Sequence, residues 1–127
     1  MKKIIALLLL FCLLVTSTNA FAAVRADAEF MSASITLCDN KTVIYSAMLK
    51  NEKNEIKVVS AILYRKLGNN WYHVGVLPVP SNVDSGYSYG SSISYSSYIT
   101  ASGTYRVQAT FEADGYQITR NSNERVF

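Results

Sequence analysis

Cysteine and histidine are scarce in this chain, which has two cysteines and one histidine among its 127 residues. Cys12 lies in an apolar segment at the N-terminus, so Cys38 is the only cysteine beyond that segment. An internal disulfide is therefore excluded in the body of the chain, and the Cys/His spacing of a zinc site is missing. The sequence also lacks a calcium-binding loop, a P-loop and a dinucleotide fingerprint, so we predict no metal and no cofactor.

Charged residues are also few, since Asp, Glu, Lys and Arg together make up 17% of the chain. The formal net charge is +3, and it falls to +1 when Lys2 and Lys3 are removed with an N-terminal leader. The basic residues between positions 50 and 66 are interrupted by Glu52 and Glu55, so they form no continuous basic patch. Nucleic acid is therefore not an expected partner.

The first 22 residues have the organisation of a secretory signal peptide. Met1-Lys2-Lys3 supplies positive charge, residues 4–15 form an apolar run, and Ala20-Phe21-Ala22 fits the cleavage site. A membrane anchor needs about 20 apolar residues, and this run is shorter. We predict a secreted protein with no membrane attachment after cleavage, which occurs after Ala22 or, alternatively, after Ala20. Removing residues 1–22 from the 127 leaves 105 residues, enough for one domain.

The strongest strand pattern lies near the C-terminus. In Thr104–Ala113 every second residue is apolar, which predicts a strand with one face on the core and the other in water. Asp114-Gly115 fits a two-residue turn, and Tyr116–Thr119 is the expected partner strand. This segment is predicted to be a β-hairpin.

A second predicted hairpin begins at Ile56–Tyr64, which is rich in β-branched residues. Apolar residues occur at both parities there, which indicates a central strand covered on both sides. Gly68-Asn69-Asn70 supplies the turn, and Trp71–Leu77 is the second arm, which Pro78 ends because it has no backbone N–H. The polar segment Asn51–Glu55 before this hairpin is predicted to be a solvated loop.

Three more segments have strand character, namely Ser32–Cys38, Thr42–Lys50 and Gly86–Tyr98. Residues 23–31 are predicted as an N-terminal tail and residues 32–127 as one domain. Seven short strands without an amphipathic helix between them predict an all-β fold, specifically a single antiparallel β-sandwich.

The segment Ala101-Ser102-Gly103-Thr104-Tyr105-Arg106-Val107 resembles the D-S-G-x-Y-x-C motif of immunoglobulin-fold domains. In that family the tyrosine hydroxyl bonds back to nearby backbone, an arrangement called the tyrosine corner. The resemblance implies that Tyr105 has this structural role. Ala101 replaces the acidic residue of the motif, and Val107 stands where the second disulfide cysteine would be. An immunoglobulin-like or fibronectin-like sandwich without the disulfide is implied.

Trp71 departs from the same family, because it follows a hairpin turn instead of lying within the strand that carries the family tryptophan. We still expect Trp71 to be a structural residue. The whole chain also looks like small secreted proteins of Gram-positive bacteria. That likeness implies a bacterial origin and no particular activity.

The candidate binding residues are four tyrosines in a serine-rich segment: Tyr87, Tyr89, Tyr95 and Tyr98. Facing outward, their rings would contact a glycan or a protein surface. Facing inward, they would fill the core, with Tyr98 as the member that stays exposed. Both readings agree with the alternation of tyrosine and serine.

Catalysis has weak support in the sequence. A nucleophilic pair would need Cys38 and His73, and no nucleophile motif surrounds either. Glu112 and Asp114 could act as paired carboxylates, but an Asp before Gly is typical of a tight turn. We therefore predict that the protein is not an enzyme, and a small secreted hydrolase is the least favoured function.

The leading functional hypothesis is a secreted, non-catalytic binding or interaction module whose partner is a glycan or a protein surface. The alternative is a self-associating structural or cell-envelope protein. In that case Cys38 would form an intermolecular disulfide, or the flat Ser/Tyr strand would pair with another chain at a sheet edge. If Cys38 is instead a small buried apolar residue, it has neither role.

Overall fold

The computed structural model describes residues 28–127, so the predicted signal peptide and most of the predicted tail lie outside the described residues. Seven strands are present in this part: β1 Phe30–Leu37, β2 Thr42–Leu67, β3 Asn70–Val76, β4 Asp84–Ser94, β5 Thr104–Ala113, β6 Tyr116–Asn121 and β7 Arg125–Val126. All the strand pairs are antiparallel, which confirms the all-β prediction. Among residues 28–127, no helix has the length and apolar character needed to cross a bilayer.

The 26-residue strand β2 organises the sheet. Its first part pairs with β1 and β4, and its second part pairs with β5 and β3. Ile56 pairs with both Asp84 of β4 and Ala113 of β5, so these two strands lie on opposite sides of β2. The sheet curls along β2 into a half-barrel.

The predicted loop at Asn51–Glu55 is wrong, because β2 runs through it. The ladder between β2 and β4 shifts register on both sides of Lys53, so the strand bends there without ending. The Asn54 and Glu55 N–H groups donate to the carboxylate of Asp114 at 2.9 to 3.1 Å. A side chain from the β5–β6 turn thus accepts the hydrogen bonds of the backbone N–H groups at the bend. The polar residues of this segment therefore mark a bend within a strand and not a loop.

The strand number agrees with the prediction for a different reason. Thr42–Lys50 and Ile56–Tyr64 are parts of one strand, and the unpredicted β7 restores the total. Every strand of residues 28–127 belongs to one hydrogen-bonded sheet, so a separate second sheet is not seen there. β1 begins at Phe30, and Phe30 and Met31 therefore belong to the sheet and not to the predicted tail.

Both predicted hairpins are present. Asp114 and Gly115 have φ angles of +48° and +88°, which suit a two-residue turn that matches the twist of its strands. The β2–β3 hairpin turns at Gly68, whose φ is +63°. Ile56–Tyr64 is central, because β5 pairs along it and β4 at Ile56 and β3 from Ile62 pair on the other side. Its outer face is only partly covered, since Tyr64 is half-buried and Val59 is exposed.

The core lies on the inner, concave face of the sheet. Along β5 the side chains alternate between buried and half-buried without interruption, as the sequence pattern predicts. The ring of Phe111 on β5 makes edge-to-face contacts with Tyr45 on β2 and Tyr89 on β4, each with centroids 6.2 Å apart. The part of the sheet formed by β4 and the first part of β2 therefore packs against β5 through these three aromatic rings.

Candidate functional site

The four candidate tyrosines divide into two pairs. Tyr89 and Tyr95 lie in the core, 2% and 0% exposed, whereas Tyr87 and Tyr98 are 58% and 46% exposed. Tyr87 and Tyr89 do not share a face because the β2–β4 ladder shifts register between Gly86 and Ser88. Of this group, only Tyr87 and Tyr98 present their rings to a ligand at the surface.

The buried tyrosines form a hydrogen-bonded network. The Tyr95 hydroxyl donates to the carbonyl oxygen of Pro78 at 2.7 Å and lies 2.8 Å from the Tyr45 hydroxyl. Tyr89 donates to the side-chain oxygen of Asn82 at 3.3 Å. Burial raises the pKa of Tyr45, Tyr89 and Tyr95 above its ordinary value, so all three stay protonated at neutral pH. These hydroxyls fasten the segment that follows β3 against the core.

The Ser/Tyr strand β4 pairs only with β2 among the described strands, so it lies at an edge of the sheet. Its edge is blocked at Gly90, where the N–H donates to the carboxylate of Asp84 and the carbonyl accepts from the side chain of Asn82. Backbone groups already bonded to side chains cannot pair with another strand. At this residue β4 does not offer the open edge that the self-association hypothesis needs.

A cluster of aromatic and basic side chains lies on the outer face of the other part of the sheet. Its members are Tyr64 and Lys66 of β2, Trp71 and His73 of β3, and Arg106 of β5, called here the Trp71 cluster. Tyr64 pairs with both His73 and Arg106, and Lys66 pairs with Trp71, so the strand register brings all five together. Leu63, next to Tyr64, and Tyr105 and Val107, on either side of Arg106, are buried in the core, so Tyr64 and Arg106 face outward.

Arg106 lies at the centre of the Trp71 cluster. Its guanidinium carbon is 4.3 Å from the centroid of the Trp71 ring and 5.8 Å from that of Tyr64. The Lys66 ammonium lies 5.7 Å from the Trp71 centroid, and His73 meets Tyr64 edge to face with centroids 5.9 Å apart. Cations over aromatic faces at these distances are attracted by the ring quadrupole, which holds the side chains in place.

Lys66 and Arg106, the two strongly basic members of the cluster, differ in whether a carboxylate lies close to their charge. The ammonium of Lys66 has a carboxylate of Glu124 at 3.8 Å. Arg106 takes part in none of the ion pairs of residues 28–127, and its buried Nε has no hydrogen-bond partner there. The Trp71 cluster therefore carries a positive charge that no carboxylate of the described chain balances.

Sequence reasoning placed Trp71 and His73 on a strand but did not join them to Tyr64 and Arg106. These residues are distant in sequence, and only the strand register shows that they meet. The alternation along Thr104–Ala113 placed Arg106 on the outward face of its strand, but nothing in the sequence paired that strand with Ile56–Tyr64. Trp71 is half-buried on the outer face, so it is not the core tryptophan of the immunoglobulin fold.

The candidate catalytic residues stand on different elements, each with its own partners. Cys38 is half-buried in the β1–β2 turn, where its N–H donates to the carbonyl of Thr42, whereas His73 is on β3. Glu112 accepts a hydrogen bond from Gln117 at 2.9 Å. Within residues 28–127, no three His, Cys, Asp or Glu side chains are grouped so as to hold a metal ion.

Tyr105 makes the hydrogen bond that the immunoglobulin resemblance implies. Its ring is buried, and its hydroxyl donates to the carbonyl oxygen of Ala101, four residues earlier, at 2.8 Å. Gly103 between them has a φ of +152°, and a Cβ there would lie 2.6 Å from the Nε of Arg65. The corner therefore requires glycine at this position.

No family model, curated protein or solved structure matches this chain. A function consequently has to be inferred from the geometry and chemistry of its own residues. Among residues 28–127, the Trp71 cluster is the surface where one arginine without an ion pair lies against two aromatic rings.

Proposed function

We propose that this protein is a secreted, non-catalytic binding module and that the Trp71 cluster is its binding surface. The observation that carries the proposal is Arg106, whose guanidinium lies against the rings of Trp71 and Tyr64 and has no ion-pair partner among the described residues. Tryptophan, tyrosine and arginine are the residues most enriched at the energetic centres of binding interfaces.

The sheet beneath the cluster favours this role. Its members stand on three adjacent strands and hold one another through ring and cation contacts, so little side-chain freedom remains to be lost on binding. The non-catalytic part of the proposal is supported by the separation of Cys38 from His73 and by the hydrogen bonding of Glu112 and Asp114 to other groups.

The proposal is tested by screening the exported protein against arrays of glycans and of extracellular proteins. A Trp71→Ala variant should lose the binding that the parent shows, because it removes the largest ring of the cluster. Tyr72→Ala is a matched control on the same strand, since Tyr72 is 50% exposed and lies outside the cluster. Tyr87→Ala and Tyr98→Ala test the alternative surface. Binding that survives Trp71→Ala and is lost in either of these variants would move the site to β4 or to the turn that follows it.

Export is a separate part of the proposal and rests on residues 1–22. Sequencing the N-terminus of protein recovered from the culture medium should give a chain that begins at Ala23, or at Phe21 if cleavage follows Ala20. Protein that stays inside the cell with Met1 retained would contradict the assignment.

We also infer a relationship to immunoglobulin-like sandwiches. Its support is the hydrogen bond from Tyr105 to Ala101, together with the antiparallel all-β architecture. In this interpretation the two sheets of the sandwich are joined through the long strand β2.

Self-association is the second candidate function, and β3 is the feature that favours it. Among the described strands β3 pairs only with β2, and it exposes Tyr72, Val74 and Val76 near that open edge. Val74→Lys should convert a dimer to a monomer in analytical ultracentrifugation if the β3 edge is the contact. Running the parent with and without reductant distinguishes this from a disulfide through Cys38. A monomer under both conditions removes the second candidate.

A further inference from the structure

We propose that the ligand of the Trp71 cluster is an acidic saccharide, with a sugar ring stacked on Trp71 and its carboxylate or phosphate group bound to Arg106. This inference rests on the proposed function and specifies the chemical class of the ligand. It depends on three features of the outer face: its charge, its aromatic rings and the polar groups beside them.

The charge of the face favours an anion. Glu124 lies beside Lys66, and Glu112, further along β5, accepts a hydrogen bond from Gln117. Neither of these two carboxylates pairs with Arg106, and Arg106 is absent from the ion pairs of residues 28–127. A guanidinium has a planar set of donors that matches carboxylate or phosphate oxygens in a two-point contact. Arg106 is the group on this face that an acidic ligand would neutralise.

The aromatic rings favour a saccharide as the carrier of that anion. Trp71 is half-buried although it lies outside the core, so it presents ring surface at the protein boundary. A pyranose has an apolar face of C–H groups that packs against an aromatic ring, and its hydroxyls bond to polar side chains at the edge. Trp71 supplies the ring, and Arg106 next to it supplies the donor.

Amide groups lie beside Arg106 on the same face. Gln108 is two positions further along β5 and is opposite Asn121 of β6, with their side chains 3.2 Å apart. Each amide retains donors or acceptors that this single bond does not use, and these can meet sugar hydroxyls.

The surroundings of the cluster argue against an acidic protein surface as the ligand. Around Trp71 and Arg106 the outward residues of β5 are Thr104 and Gln108, both polar. The apolar pair of this face, Ile62 and Val76, lies beyond Tyr64 and His73, so the part next to Arg106 lacks the apolar, fully desolvated centre that a stable protein interface needs. A saccharide of a few rings needs only the aromatic platform and the hydrogen bonds around it.

The test measures calorimetric binding of matched neutral and acidic saccharides to the exported protein. The carboxylate pair is tetragalacturonate and its methyl ester, and the phosphate pair is trehalose 6-phosphate and trehalose. The variants are Trp71→Ala, Arg106→Gln and Arg106→Lys. Arg120→Gln is the control, because Arg120 is an exposed arginine on β6 whose guanidinium bonds to the carbonyl of Thr119. Melting temperatures show that each variant is folded.

At least one acidic probe should bind the parent ten-fold or more tightly than its neutral counterpart, and the affinity should fall as salt is added. Arg106→Gln should abolish that preference while leaving weak binding of the neutral saccharide. Arg106→Lys should restore part of it, and Arg120→Gln should change nothing. Trp71→Ala should weaken both members of the pair. The acidic probe that binds identifies carboxylate or phosphate as the anionic group.

Equal binding of both members of each pair, or a preference that survives Arg106→Gln, would overturn this inference and leave the proposed function intact. If no saccharide binds but a protein partner is captured in a Trp71-dependent way, the saccharide class is wrong and the binding surface is right. Loss of Trp71 dependence for every ligand would instead overturn the proposed function itself.

Discussion

The hydroxyl of Tyr45 on β2 donates to the hydroxyl of Tyr95, which follows β4, at 2.8 Å. The direction follows from Tyr95, whose single proton is committed to the carbonyl oxygen of Pro78 at 2.7 Å. Tyr95 is therefore both acceptor and donor, whereas Tyr45 is only a donor. The Tyr45 hydrogen bond therefore needs the Tyr95 hydroxyl as its acceptor, whereas the bond from Tyr95 to Pro78 does not need the Tyr45 hydroxyl.

Tyr95→Phe should destabilise the protein more than Tyr45→Phe. Removing the Tyr95 hydroxyl leaves the buried Tyr45 donor without an acceptor, at a cost of about 2 kcal/mol, whereas removing the Tyr45 hydroxyl leaves the Tyr95 bond to Pro78 intact and costs about 1 kcal/mol. Urea unfolding of both single variants and of the double variant measures the difference. Equal losses in the two single variants would contradict the donor assignment.

Stability should fall at alkaline pH. Burial raises the pKa of Tyr45, Tyr89 and Tyr95 above the ordinary 10.0, so these groups hold their protons in the folded protein where the unfolded chain releases them. Their contribution is complete below pH 10 and is lost as the pH rises further. The free energy of unfolding, measured from about pH 8 to pH 11, should decline less steeply in Tyr45→Phe than in the parent. Parallel declines would show that these phenols do not control the alkaline limit.

Tyr105 should be a stability residue. Tyr105→Phe removes the hydrogen bond to Ala101 and should cost about 1 kcal/mol, and Tyr105→Ala also empties a buried site and should cost about 3 kcal/mol or more. Thermal unfolding measures both. Tyr72→Phe is the matched control, because its side chain is half exposed. A Tyr105→Ala protein as stable as the parent would remove the tyrosine corner.

The Asp114 carboxylate should support the bend of β2 only while it is ionised. Hydrogen bonds from the N–H groups of Asn54 and then Glu55 lower the pKa of Asp114 below its ordinary 3.8. The stabilisation is therefore present above pH 3.8 and is lost as the pH falls through the lowered pKa. Asp114→Asn tolerates the positive φ of the turn but removes the charge. The stability gap between parent and variant should narrow in acid, and a gap independent of pH would show that the charge has no role.

The tyrosines around β4 should separate into two classes when each is changed to alanine. Tyr89→Ala and Tyr95→Ala should cost about 3 kcal/mol or more because both rings are buried. Tyr87→Ala and Tyr98→Ala expose little new surface and should stay within about 1 kcal/mol of the parent. Melting curves of the four variants test the division. A large loss in Tyr87→Ala would mean that Tyr87 packs in the core, as in the inward-facing reading of the sequence.

The hairpins were predictable from sequence because their signals are local. Alternation along Thr104–Ala113 and the Asp114-Gly115 turn are contained in a short segment, and the turn fixes the register. The continuity of β2 was not predictable, because it depends on distant residues. Lys53 is buried where its ammonium pairs with Glu29 and lies 5.2 Å from the centroid of the Tyr116 ring. Without those partners, a run of polar residues is typical of a loop.

The candidate site was likewise not predictable from local sequence, because its members are distant in the chain. Tyr64, Trp71 and Arg106 each have an ordinary local explanation as strand residues, and the cation contacts arise only when β3 and β5 flank β2 in one register. The four tyrosines on and after β4 had the more conspicuous local pattern, yet two of them are in the core. The serine- and tyrosine-rich composition was therefore enough to predict the strand β4. The cluster of aromatic and basic groups could be found only from the register of the strands.

The length of β2 has a consequence for how the chain folds. One strand provides hydrogen-bonding partners for β1, β3, β4 and β5, and two of its ladders join distant parts of the chain, as where Lys66 pairs with Thr104. Before two distant segments can pair, the chain between them must close into a long loop, which lowers its entropy before any stabilising contact forms. This topology is therefore of the kind that folds slowly. No N-terminal fragment that ends before β5 can complete the sheet. A chain built in this way can form its early hairpins during synthesis, but it reaches the complete sheet only when nearly all of it has been made.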